Sequence, residues 1–106
     1  MSHTYTNAKA DLTTTSATTL YTCPASTQAI VNSILVSEDS GNADTITVTL
    51  TNGSDVYSLF KVKAVAANAT EELLTGPLVL QATEILKVTA ATANRLHVVA
   101  SIAEVT

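Results

Sequence analysis

Thr45-Ile46-Thr47-Val48-Thr49-Leu50-Thr51 alternates threonine with a large aliphatic residue through seven positions, and Asn52-Gly53 follows at once. Successive side chains of a strand point to opposite faces, so this stretch predicts a strand with one threonine face and one apolar face. Asn-Gly between alternating segments is a strong hairpin signal, because both residues tolerate positive φ. The turn at Asn52-Gly53-Ser54 is therefore expected to return the chain into a strand over 55–65. There Val56, Phe60 and Val62 fall on one face, and Tyr57, Leu59, Lys61 and Lys63 on the other.

Working outward, the same style continues. Thr18 to Cys23 reads as a strand with Leu20 inward, stopped by Pro24. Gln28 to Ser37 reads as the longest apolar strand, with Ile30, Ile34 and Val36 on one face and Val31 and Leu35 on the other. Apolar residues on both faces predict a central strand covered on both sides. Thr70 to Leu74 fits a single helical turn as well as a strand, cut short by Gly76-Pro77. Leu78 to Leu80 is a short strand. Glu84 to Ala90, with Leu86 and Val88 inward, and Arg95 to Ile102, with Leu96, Val98, Ala100 and Ile102 inward, complete the set around a turn at Asn94. Seven or eight short, mostly antiparallel strands with turns every 8–12 residues or so predict an all-β fold, a single β-sandwich of jelly-roll or immunoglobulin-like order. Residues 1–16 are poor in large apolar groups and read as an extended N-terminal arm, ordered only when it pairs with something, in which Ala8 to Leu12 can add an edge strand. The sandwich domain is then expected over 17–106.

The chain is one domain by length, 106 residues. Charged residues make up only 13%, about half the usual share. Threonine (nineteen) and alanine (sixteen) take their place. A surface poor in lysine and glutamate tolerates burial against other protein. Net charge is −4, and the five cations do not cluster beyond Lys61 and Lys63, which argues against nucleic acid as a partner. No run of 18 apolar residues suggests a membrane span, and the first residues lack the pattern of a signal peptide.

The residues give no catalytic grouping. Cys23 has no histidine close in the pattern to lower its pKa, and His3 and His97 read as surface residues. Glu38, Asp39 and Asp44 lack the alternate spacing of a calcium loop, and adjacent Glu71 and Glu72 point opposite ways in a strand. A non-enzymatic protein without cofactor or metal is expected.

Two segments carry a resemblance. Leu20-Tyr21-Thr22-Cys23-Pro24-Ala25 leads into the aliphatic strand that runs to Val36, and Leu80-Gln81-Ala82-Thr83-Glu84 leads into Ile85-Leu86-Lys87-Val88 and the closing strand Leu96 to Ile102. Over roughly residues 18–105 the chain resembles small β-sandwich structural proteins of tailed bacteriophages. It departs from them where Ser26 stands in place of a glycine, and where Ala82-Thr83-Glu84 replaces an Ala-Gly-Asp turn. The resemblance implies a virion protein, foremost a capsid decoration or cement protein that docks on the major capsid protein or another virion protein. It also implies a homo-oligomer, with a trimer favoured, made in the host cytoplasm. A tail, neck or head-fibre component is the nearest alternative. The expected contact residues are Tyr5 and Leu12 in the arm, then Thr45, Thr47 and Thr49 on the threonine face. From a different class, a carbohydrate- or cell-surface-binding β-sandwich is the rival, with Tyr57 near Asp55 as its candidate.

Overall fold

The structure, a computed structural model, describes residues 2–106. Nine strands form in chain order: β1 His3–Asp11, β2 Thr18–Thr22, β3 Gln28–Glu38, β4 Asp44–Asn52, β5 Asp55–Val65, β6 Thr70–Glu72, β7 Leu78–Leu80, β8 Ile85–Ala90 and β9 Leu96–Val105. All pair antiparallel. Sheet A has the order β1-β9-β3-β6, with β7 also on β3, and sheet B has the order β2-β8-β4-β5. An immunoglobulin-like sandwich keeps its first two strands in one sheet. Here β1 and β2 lie in different sheets. Counting β6 and β7 as one interrupted strand, the order is that of an eight-stranded jelly roll.

The core lies between the sheets and is aliphatic. Sheet A contributes Ala29, Val31, Ile34, Val36, Leu80, Leu96, Val98, Ala100 and Ile102, and sheet B contributes Ile46, Val48, Val65, Leu86, Val88 and Ala90. Each large side chain removed from water contributes about 1.5–3 kcal/mol before entropy is counted. The alternation of β4, β8 and β9 therefore produces what it predicts, an inward apolar row and an outward wetted one.

Several expectations are refined or changed. The N-terminal segment does add an edge strand, one that starts earlier than Ala8: β1 pairs with β9 along its whole length, from His3 with Val105 to Asp11 with His97. Leu12, just beyond, sits in the core, and its N–H donates to the Leu96 carbonyl (3.1 Å). Met1 lies outside the described residues.

On β3 apolar residues do lie on both faces, but the assignment of residues to faces changes. The pairing of β3 with β9 shifts between Val31 and Ser33, so Asn32 is an extra residue. A bulge of this kind reverses the parity of the residues beyond it. Ala29, Val31, Ile34 and Val36 all face the core, while Leu35 is turned outward. The far side of β3 carries the half-buried Ile30 and the exposed Leu35 on the outer face of sheet A.

On β5 Val56 pairs with the outward Thr51 and is exposed, and two shifts farther along bring Phe60 half-buried against the core and leave Val62 exposed. Val62 has φ 55°, a left-handed value that a β-branched side chain rarely adopts. At the hairpin, Asn52 pairs with Asp55, so Gly53-Ser54 is the loop and only Gly53, at φ 61°, needs positive φ. Asn52 instead donates from Nδ2 to Glu84 Oε2 (3.1 Å). Finally, Thr70–Glu72 is a strand on β3, because sheet A offers it a free ladder and the next residues cannot extend a helix.

Candidate functional site

The acidic groups read as loops in the sequence are structural. Glu38 ends β3 and is buried. Its carboxylate accepts N–H bonds from Ser40 (2.8 Å), Gly41 (3.1 Å) and Asn68 (3.0 Å), and the Ser40 hydroxyl. Burial pushes its pKa up, but these donors outweigh it and hold the group at about 2. Asp44 Oδ2 accepts from Thr92 N (3.1 Å), and Glu72 Oε2 accepts from Ile34 N (2.9 Å) and Leu74 N (3.1 Å), filling the gap between β6 and β7. Tyr21 donates to Glu104 (2.5 Å) across the two sheets, and burial together with that carboxylate raises the phenol's pKa. The Cys23 thiol is buried against the carbonyls of Thr27 and Leu80, and burial pushes its pKa up, away from thiolate chemistry. His97 lies between Asp11 (3.2 Å) and Asp39 (3.5 Å) and ties β1, β9 and the β3–β4 loop together on the surface. No cluster of three or more His, Cys, Asp or Glu suited to a metal lies among the described residues.

What remains are two outer faces. On sheet B, Thr45, Thr47, Thr49 and Thr51 of β4 point outward opposite the buried Ile46 and Val48. Register continues the hydroxyl surface sideways, with Thr47 beside Thr89, and Thr49 between Lys87 and Ser58. The Thr47 hydroxyl also accepts the N–H of Val62 (3.1 Å) and so supports the bulge of β5. Val56 (63% exposed) and Val62 (59%) flank this face at the edge.

On sheet A the register builds rows across the strands. Tyr5, Ala103, Ile30 and Val79 form one, and Lys9, Val99, Leu35 and Glu72 another. Between them lie Asn7, Ser101 and Ser33. The Asn32 bulge, Asn7, Ser101 and Tyr5 line an open depression of about 320 Å³. Two further depressions sit at the ends of the sandwich: one of about 570 Å³ beside Asp44, Lys63 and Glu71, and one of about 410 Å³ beside Gln28 and Gln81.

The expected contact residues divide. Tyr5 is 81% exposed on sheet A, and Thr45, Thr47 and Thr49 are half-buried on sheet B, on opposite sides of the sandwich. Leu12 is fully buried and touches no surface, since the chain turns inward after Asp11. Tyr57 and Asp55 are exposed near the hairpin tip, and none of the three depressions includes them. Asn7, Asn32 and Ser101 escaped the sequence reading because each is an ordinary polar residue in its own strand. Only the polar break at Asn32 in an aliphatic run hinted at a bulge.

No helix of the described residues is long and apolar enough to cross a membrane. No known family model matches the chain, and no curated protein is significantly similar to it.

Proposed function

We propose that this chain is a non-enzymatic structural protein of a tailed-phage virion, foremost a capsid decoration protein, that docks on its protein partner through the outer face of sheet B. The jelly roll is shared by viral shell proteins and lectins, so the choice rests on surface chemistry rather than on the fold. The observation that carries the reading is the threonine face itself. Lys87 is the one ionisable residue paired directly with these threonines, Lys61 lies in the bulge opposite Thr47, and Val56 and Val62 stand exposed at the rim. Covering this face meets mainly hydroxyls and valines and desolvates Lys87 and Lys61, whereas covering sheet A would desolvate charges of both signs, at Lys9, Asp11, His97 and Glu72. Many copies, each adding a modest apolar area, reinforce a shell collectively.

Quantitative mass spectrometry of purified particles tests this. One copy per capsid subunit, or one per three, fits decoration. A handful of copies moves the protein to the tail, neck or head fibres. Absence from particles removes the virion reading. Thr49→Lys and Val56→Lys together are expected to abolish binding to empty shells while leaving the circular dichroism spectrum unchanged.

A further inference from the structure

We propose that the depression on the outer face of sheet A is a binding site for a neutral saccharide. The site is assembled from three strands. β1 supplies Tyr5 and Asn7, β9 supplies Ser101, and the bulge of β3 supplies Asn32. None of these is near another in sequence except Tyr5 and Asn7.

Three features point to a sugar. Tyr5 is 81% exposed, although its row contains apolar neighbours. The residue opposite it is Ala103, too small to cover a ring, so a flat aromatic surface stays open beside the depression. Such a surface suits the C–H face of a pyranose. Next, Asn7, Asn32 and Ser101 are exposed, so their amides and hydroxyl meet water rather than protein. An amide donates and accepts side by side, which matches neighbouring sugar hydroxyls that do both. Lastly, Asn32 is there because of a bulge, a device that re-aims one side chain out of the ladder.

Charge selects the subclass. No ionisable group other than the Tyr5 phenol lines the depression. An acidic sugar would lack a cation, and a nucleotide phosphate would face a chain of net charge −4. The volume, about 320 Å³, lies at the low end for ligand sites and suits one or two sugar rings.

The proposal is independent of the docking reading, because the site and the threonine face lie on opposite sides of the sandwich. A chain bound to a shell through sheet B leaves this face toward solvent.

Amide chemical-shift mapping on the isotope-labelled full chain tests it, with the methyl glycosides of glucose, galactose, mannose and N-acetylglucosamine as probes and uridine as the contrast. The expected result is saturable shifts, for at least one glycoside, centred on Tyr5, Asn7, Asn32 and Ser101, with millimolar affinity. Tyr5→Ala and Asn32→Ala should each weaken binding by about tenfold or more, a change of about 1.4 kcal/mol. Tyr5→Phe should retain it, because the ring face is unchanged. Absence of shifts with all four glycosides overturns the proposal. So do shifts centred elsewhere, tighter binding of uridine than of any sugar, or indifference to both alanine variants.

Discussion

The two outer faces of the sandwich differ in charge and in relief. Sheet B presents threonines in register, with Lys87 paired to Thr49 and Lys61 in the bulge opposite Thr47. Sheet A presents Lys9, Asp11, His97 and Glu72 around apolar rows, and it is dented where Asn32 breaks the ladder. A face of threonines with few charges suits broad contact with another folded protein. A dented face with free amides and one open ring suits a small polar ligand. The bulges fall in different places: on sheet B in the pairings of its edge strands, β5 with β4 and β2 with β8, and on sheet A in the central pairing of β3 with β9. β4 alternates without interruption along its pairing with β8, so its outward side chains stay level. β3 carries one residue too many, so its outward side is stepped.

The sharpest way to break this contrast is to exchange inside and outside on β4. Ile46 is fully buried and Thr47 is its outward neighbour. Ile46→Thr removes apolar volume and places a hydroxyl without a partner in the core, and is expected to cost about 2–4 kcal/mol. Thr49→Ile, on the outer face, should stay within about 0.5 kcal/mol. Thr47→Val should fall between them, at about 1 kcal/mol, because the Val62 N–H loses its acceptor. Urea midpoints at constant slope measure all three. Equal losses at 46 and 49 would mean that the threonine face is not outward.

The second test concerns the end of the sandwich where both sheets meet the β3–β4 loop. Glu38 has a folded pKa of about 2 against an ordinary 4.5. A depressed carboxylate contributes stability that is present above 4.5 and is lost as pH falls toward 2. Glu38→Gln is therefore expected to be less stable than the parent at neutral pH. The gap should narrow steadily through that acid window. A gap independent of pH would show that the loop is held by shape alone, without the charge.

Much of the architecture was legible in the sequence, for a physical reason. Where pairing is regular, as in β4, β8 and β9, parity alone identifies Ile46, Val48, Leu86, Val88, Leu96 and Val98 as core. Parity misleads where the backbone adds a residue. Ile30 and Ile34 share parity in the sequence, yet only Ile34 faces the core, because Asn32 lies between them. The shifts in β5 separate Val56 and Val62 from Phe60 in the same way, although the three share parity in the sequence. The contact between β1 and β9 joins residues about a hundred positions apart, and polar residues such as Thr4 and Asn7 announce no partner. The depression was invisible for both reasons at once: it needs that long-range pairing and the bulge.

Relief of strain on β5 gives a third, smaller effect. Val62 holds φ 55°, at a cost on the order of 1–3 kcal/mol for such a residue. Val62→Gly removes the strain and adds back about 0.5–1 kcal/mol of chain entropy. The chain free of any partner should gain about 1 kcal/mol. If sheet B is the docking face, the same change should weaken shell binding, since Val62 is part of its apolar rim. A gain in both would place docking elsewhere.

The smallest expected effect is the most useful. Tyr5→Ala removes the largest exposed side chain of sheet A, and the loss of stability should not exceed about 0.5 kcal/mol, because the ring covers little of the core. The backbone pairing of Tyr5 with Ala103 remains available to alanine. A large loss would show that the ring closes the sandwich edge and that its exposure has a structural purpose. A negligible loss leaves an aromatic ring in water with no folding role. Any binding defect in the same variant then belongs to a ligand of that face, and not to a damaged fold.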